Sequence, residues 1–514
     1  MNRSEALVRV AALRTADGSA AFASGIALLR ADHAELLLPA ARQLATRFPG
    51  DPRIHQLHGL AARAAQNSGE ASIAFASAAR LAPGDALIAH SHARATLEAG
   101  RPAVFLFERA ARLAPQDGTV LLGLAAARLH DQSAQAAVEM LDALTDANPL
   151  WLDGHRDAAR LRGQLGLDPY ASLAAALRRH PDADELHLLR ISLALEALDL
   201  PLAWQASVEA RASLGDHPRR ALLEAHVTSE IGKIDEADTR FAALDTTLSV
   251  NAASLHARHL LRAGRPQLVA PLLEPLIDKD YDHMLWPYLS LAWRLTGDPR
   301  WDWLEGDGRL VGVYDLAGRI GDLAGLVEHV RRLHFAAEQP LDQSVRGGTQ
   351  TDGNLLIRED PPLRALRAVI RDAVEQHIAQ LPPFEAGHPT CIRDRSPVRI
   401  AGSWSVRLRD AGFHADHVHG KGWISSALYL ALPPSIAQAE AEPASGHEGW
   451  LSLGECRDVI ADLEPVRLVE PKLGRLVLFP STMWHGTRPF ASGERMTIAF
   501  DIARPTQDRI GDQT

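Results

Sequence analysis

Residues 403–433, SWSVRLRDAGFHADHVHGKGWISSALYLALP, decide the fold of the C-terminal part of this chain, and residues 474–502, GRLVLFPSTMWHGTRPFASGERMTIAFDI, complete the reading. SWSVRLR, ISSALYLAL, GRLVLF and MTIAFDIA, with WLSLG between them, are short runs of period two or of continuous apolar character, separated by Gly, Pro, Asp and Ser. Several such strands with turn residues between them predict a sandwich or jelly-roll barrel. Within it lies the cluster HADHVH. Histidines two positions apart on a strand point to one face, so His417 and His419 can share an ion while His485, from a distant strand, closes the coordination. Arg495 follows ten positions after His485. From the next strand its guanidinium can face the same interior and grip a carboxylate through two parallel hydrogen bonds.

A second register is written in the same letters. His414 and Asp416 form an H-x-D pair, and strict alternation sets 414 and 416 on one face of the strand and 417 and 419 on the other. The two pairs then exclude each other unless a bulge intervenes.

The chain is 514 residues long, too many for one ordinary core, so a multidomain protein is expected. No apolar run reaches eighteen residues, and the opening MNRSEALVRVAALRTADGSA lacks the apolar centre of a secretory signal, which predicts a cytoplasmic protein with no membrane segment. Cys391 and Cys456 are the two cysteines; they have no zinc-ligand spacing, so nitrogen and oxygen must hold any metal. A net charge of −10, with arginines scattered through helical segments, argues against nucleic acid as a partner.

The first part of the chain has an internal period. Pro49, Pro83, Pro115, Pro149, Pro181 and Pro218 stand 34, 32, 34, 32 and 37 residues apart, most of them in strings such as FPGDP, LAPGD and LAPQD. Between them lie two apolar-periodic stretches rich in Ala and Leu, as expected for a pair of antiparallel helices. A unit of about 34 residues built this way resembles the tetratricopeptide repeat in period and in its small packing residues. One helix pair cannot bury its own apolar face, so the units must stack into a solenoid over residues 1–300, whose extended surface would dock a peptide or protein. Residues 301–395 read as connecting helices, DLAGLVEHVRRLHFA and PPLRALRAVIRDAVEQHIAQL, around the polar QPLDQSVRGGTQTDGNLL, whose paired glycines suit a lid, a substrate loop or a plain turn. Residues 396–514 hold the barrel.

The strings PLDQSVRGGTQT, SWSVRLRDAGFHADHVHGKGWISSALYLALP and GRLVLFPSTMWHGTRP with ERMTIAFDI resemble the iron(II)- and 2-oxoglutarate-dependent dioxygenases of the prolyl-4-hydroxylase-like superfamily, and more closely the oxygenases fused to tetratricopeptide repeats in bacteria. The resemblance implies an all-α solenoid followed by a double-stranded β-helix (jelly-roll) domain with flanking helices. It implies Fe(II), 2-oxoglutarate as cosubstrate and dioxygen, with hydroxylation of a peptide or protein side chain. It carries the metal ligands onto His417, His419 and His485, and the distal carboxylate of 2-oxoglutarate onto Arg495 with help from Tyr429. The spacing to GWISSALYL favours the 417 and 419 register in the same way.

One position departs from the superfamily, whose second ligand is usually acidic where this chain has His419. Three neutral imidazoles leave the ion its full double charge, which a bidentate 2-oxoglutarate dianion would balance. The departure keeps two other readings open: a catalytically silent barrel serving a scaffolding solenoid, and a cupin-like three-histidine dioxygenase that makes no use of 2-oxoglutarate. Trp423, Trp484 and Phe479 read as pocket wall or plain core, and Ser425 and Ser426 as small strand residues without an assigned task.

Overall fold

The computed structural model describes residues 1–437 and 447–505, so two stretches of the expected barrel range 396–514, residues 438–446 and 506–514, lie outside the described residues. From Arg3–Ala12 to Arg300–Glu305 the described chain is helical, with helices arranged in pairs such as Pro52–Ala64 with Ser68–Leu81 and Ala86–Glu98 with Val104–Leu113. Many starts have a local cause. Asp51, Asn67, Asp85, Asp117 and Ser133 each accept a hydrogen bond from a first-turn backbone N–H, and Pro49, Pro83 and Pro115 stand in the turns ahead of three of these capped helices, while Pro149 and Pro181 stand in turns ahead of helices without such a cap. Pro218 is itself the first residue of helix Pro218–Glu230.

The backbone carries a sharper period than the prolines do. Left-handed residues close the first helix of successive pairs at Asp32, Gln66, Gly100, Gly166, Leu198, Gly232, Gly264 and Gly297. They recur every 32 to 34 residues, with the turn at Gln132 the one exception, where φ is −118°. Alanine and glycine let the helices approach. A Cβ added at Gly59 would lie 2.8 Å from the Phe75 ring, and one at Gly123 would lie 2.2 Å from Phe107.

The C-terminal part is a curled antiparallel sheet of nine strands: β1 (Gly312–Asp315), β2 (Val345–Gln350), β3 (Ile400–His417), β4 (Gly422–Ala431), β5 (Leu451–Leu453), β6 (Arg467–Val469), β7 (Arg475–Pro480), β8 (His485–Thr487) and β9 (Glu494–Ala503). β3 organises it. Along one edge β3 pairs with β9 through residues 400–409 and then with β8 at His414 and His417, while β2 occupies the other edge. The sheet therefore divides into a leaf β1-β7-β4-β9 and a leaf β8-β5-β6, joined by β3, in the jelly-roll manner. Tyr429, Val477 and Phe479 from one leaf pack against Leu451, Leu453 and Val469 from the other. Helices Leu323–Arg332 and Pro361–Gln380 cover the outer face of the larger leaf through Leu326, Val330, Ile370 and Val374, which meet Leu428, Leu476 and Phe500. The fold class is thus a helical repeat region followed by a jelly-roll domain with flanking helices.

QSVRGGTQT proves to be a strand. Val345–Gln350 pairs with β3, with a register shift between Arg346 and Gly348. At Gly348 a Cβ would sit 2.5 Å from the Arg407 carbonyl oxygen, so the glycine sets the closeness of β2 to β3 rather than freeing a lid.

The helical region holds the sheet domain along its turns. Gln66 exchanges two hydrogen bonds with the Ile400 backbone, at 2.6 and 2.8 Å, and the Glu359 N–H donates to Ala99 O at 3.0 Å. Arg399 pairs with Glu35 and Asp32. Ala337 and Glu338 N–H groups both donate to Gln164 O. Farther along, Leu260, Trp286 and Leu289 bury Cys456, Val459 and Trp484, and Trp484 Nε1–H donates to Pro287 O at 3.0 Å. Both cysteines are buried and free.

Candidate metal centre

β3 ends on the imidazoles. His417 and His485 are direct cross-strand partners of β3 and β8, so their side chains meet. His419 lies two residues beyond the end of β3, its N–H donating to Ser481 O at 2.9 Å, and its ring stands 4.9 Å from that of His417 and 5.1 Å from that of His485. One nitrogen from each of the three falls within 4.8 Å of the others, and they are the metal-competent cluster among the described residues.

The hydrogen bonds set the tautomers. His417 Nδ1 faces Ala415 O at 2.8 Å, His485 Nδ1 faces Met483 O at 3.0 Å, and His419 Nδ1 faces Asp501 Oδ2 at 2.6 Å. Carbonyl and carboxylate oxygens only accept, so each Nδ1 carries the proton and each neutral Nε2 keeps its lone pair, that of His417 facing Ser344 Oγ at 3.3 Å. Nitrogens about 2.1 Å from one first-row ion stand roughly 3.0–3.4 Å apart, so such an ion would draw the three rings together from their present spacing. The donor set and its preset tautomers fit such an ion.

Burial pushes His417 down to about 3 and His485 well below its ordinary value, with the neighbouring histidines adding to both shifts. Burial acts against charge on His419 too, but the Asp501 carboxylate overrides it and holds this imidazole above its usual value.

The alternative register is resolved into different roles. Against β8 the register slips between His414 and His417, so strict alternation fails. His414 therefore shares the pocket with His417, their rings stacked 5.9 Å apart, and Ser344 Oγ lies 3.0 Å from His414 Nδ1 and 3.3 Å from His417 Nε2. Asp416 turns away. Its carboxylate accepts from the Arg457 N–H at 2.8 Å and from the Arg457 guanidinium at 2.7 and 2.6 Å, which occupies both oxygens.

Arg495 stands on β9 and faces the same pocket, which is also lined by Gln343, Gln350, Trp404 and Thr497. It is 2 % exposed, its Nε–H donates to Gly449 O at 3.2 Å, and no carboxylate among the described residues pairs with it. The guanidinium lies 4.9 Å from the centre of the Tyr429 ring. The Tyr429 hydroxyl is buried with the Arg495 guanidinium beside it and no well-formed hydrogen bond among the described residues, and burial raises it above its ordinary value while the arginine opposes that. A buried cation with no counterion among the described residues, beside a hydroxyl that likewise has no hydrogen-bond acceptor among them, is costly. A ligand carboxylate would satisfy both.

Sequence reasoning missed Asp501 and the Ser425 hydroxyl that donates to Asp501 Oδ1 at 2.6 Å. The structure makes Asp501 and Ser425 cross-strand partners of adjacent strands, a pairing that no local sequence pattern announces. Trp423 and Trp484 are core, with indole N–H groups donating to Thr390 O and Pro287 O, whereas Phe479 does line the site, 4.7 Å from His485. Arg407 points away to Glu494.

Residues 402–501 match the family described as "Putative 2OG-Fe(II) oxygenase". This part of the chain is thus a domain of the 2OG-Fe(II) oxygenase type, a family that uses Fe(II), 2-oxoglutarate and dioxygen. Among solved structures, a Pseudomonas putida prolyl-4-hydroxylase is similar at 18% identity over 38% of this chain and 92% of its own, with a TM-score of 0.26. A Trichoplax adhaerens prolyl hydroxylase, solved with a hypoxia inducible factor peptide fragment, is similar at 13% over 42% and 95%, with a TM-score of 0.28. Human IFIT1, solved as a dimer with m7Gppp-AAAA, is similar at 14% over 55% and 79%, with a TM-score of 0.24. Similarities this low say nothing about substrate. No curated protein matches the chain. No helix among the described residues is long and apolar enough to cross a membrane.

Proposed function

We propose that this chain is an Fe(II)- and 2-oxoglutarate-dependent hydroxylase acting on a peptide or protein side chain. His417, His419 and His485 would hold the iron through Nε2, and Arg495 with Tyr429 would bind the distal carboxylate of 2-oxoglutarate. The observation that carries this reading is the Arg495 guanidinium, which no carboxylate among the described residues compensates, buried in the same pocket as three convergent imidazoles. A three-histidine centre working without 2-oxoglutarate has no use for that cation, which is why the cupin-like alternative is set aside. With iron and 2-oxoglutarate bound, the site would supply oxidative decarboxylation of the oxo acid coupled to hydroxylation. The protein's share is orientation and exclusion of water: Phe479, Trp404 and Leu451 wall the pocket, and Arg495 fixes one end of the oxo acid so that its other end reaches the imidazoles.

The helical region supports a macromolecular substrate by its reach. Phe335 packs against Leu161 and Leu141, Leu341 packs against Leu173 and Leu186, and the next residues, Gln343 and Ser344, line the pocket. A partner on the solenoid would lie beside the mouth of the site. The test is succinate formation from 2-oxoglutarate with Fe(II) and oxygen: wild type should form it, Arg495→Ala should raise the 2-oxoglutarate KM at least tenfold, and His485→Ala should form none. Equal succinate from all three proteins would overturn the assignment.

A further inference from the structure

The carboxylate missing from the inner ligand set reappears one bond farther out. Asp501 Oδ2 stands 2.6 Å from His419 Nδ1, on the one imidazole that occupies the place where a carboxylate ligand is usual. The other two imidazoles donate to neutral backbone carbonyls, so this is the single anionic contact made by the trio among the described residues. Nor is Asp501 a loose surface acid. It sits on β9 with its side chain 13% exposed, Ser425 Oγ–H donates to its other oxygen at 2.6 Å, and Ser425 Oγ also lies 2.9 Å from Ser481 Oγ. Ser481 in turn receives the His419 backbone N–H, so the same small network fixes both the imidazole and the acid that faces it.

We propose that Asp501 is a positioning residue that replaces the absent ligand carboxylate from the outer sphere, lending its negative charge to the metal through His419. A carboxylate accepting the Nδ1 proton makes the imidazole a stronger donor at Nε2 and locks its orientation. Asp501 with three histidines then gives the ion the same net charge as two histidines with a direct carboxylate. His419 in this place is therefore compatible with a working iron centre and is no sign of a silent barrel. The proposal rests on the oxygenase reading only in requiring that a metal bind at all.

The test compares wild type, Asp501→Asn and Ser425→Ala, first by anaerobic calorimetric titration with Co(II) alone, then by the Fe(III)/Fe(II) midpoint potential. Asparagine keeps an acceptor for His419 but removes the charge. Asp501→Asn should bind Co(II) about 10- to 100-fold more weakly than wild type, the range typical of lost outer-sphere partners. Its iron potential should also rise, because the ferric state loses more from a missing anion than the ferrous state does. A purely structural role would leave the potential where it is. Ser425→Ala, which leaves the charge but frees its aim, should weaken Co(II) by a smaller factor, and it carries the same reading if Asp501→Asn fails to fold. Wild-type affinity and potential in the folded variants would overturn the proposal, while a wild type that binds no Co(II) would sink the oxygenase reading instead.

Discussion

At the scale of single residues the site is a set of unsatisfied groups waiting for particular partners. Tyr429 gives the cleanest prediction. Its buried hydroxyl has no well-formed hydrogen bond among the described residues, so Tyr429→Phe should leave the metal-free protein as stable as wild type or more stable by about 1 kcal/mol. The same change should weaken 2-oxoglutarate binding several-fold, and thermal melts with a binding titration check both halves. The imidazoles make a second prediction. His417 and His485 are held neutral down to low pH by burial, whereas His419 is held above its ordinary value by Asp501. On acidification one proton, not three, must leave before metal binds. The logarithm of the metal affinity should fall with a slope of about one per pH unit once the pH drops below the raised His419 value; a slope near three would show that all three imidazoles titrate together. That His417, His419, His485 and Arg495 would share one pocket was legible in sequence, because period-two spacing and a recognisable motif carry them. Asp501 was not, since its bond to His419 spans 82 positions and leaves no local pattern.

At the scale of elements, length decided what could be read. β3, β4, β7 and β9 are six residues or longer and show their apolar character plainly, and three-residue β5 was found through WLSLG. β6 and β8 are three residues each and β1 is four, too short for any period to register. β2 failed for a different reason. VRGGTQ is polar and glycine-bearing, so it reads as a loop, yet those glycines are what allow it to lie against β3. Gly348→Ala should therefore cost roughly 1–3 kcal/mol in denaturant melts. It should also reduce turnover, because Ser344 and Gln350, at the two ends of this segment, line the pocket. The bulge between His414 and His417 was likewise invisible: two faces were expected, and one slip in register put His414 beside His417 and sent Asp416 to Arg457.

At the scale of the whole molecule the sequence foretold a solenoid and a barrel but not their embrace, because contacts such as Gln66 with Ile400 depend on two separately folded surfaces meeting. Trp484 is the anchor of that junction. Trp484→Ala should cost about 3–5 kcal/mol through a cavity shared by both parts, and a single cooperative unfolding transition should become two. Glu305, fully buried near the same junction, adds a pH signature. Burial raises its carboxyl to about 7, above the value expected in the unfolded chain, so the folded state binds the extra proton and stability is lost as pH rises from about 4.5 to 7. Glu305→Gln should flatten that part of the stability profile, by of order 1–3 kcal/mol at neutral pH; an unchanged profile would show that the group is already neutralised otherwise. The central claim is that iron and 2-oxoglutarate meet between His417, His419, His485 and Arg495. Its most direct test is an anaerobic titration of Fe(II) and then 2-oxoglutarate into the purified protein, followed by visible absorption. The account predicts a weak charge-transfer band that saturates at one equivalent of each and is lost in Arg495→Ala and His485→Ala. A folded, iron-loaded protein that develops no band with 2-oxoglutarate would contradict it.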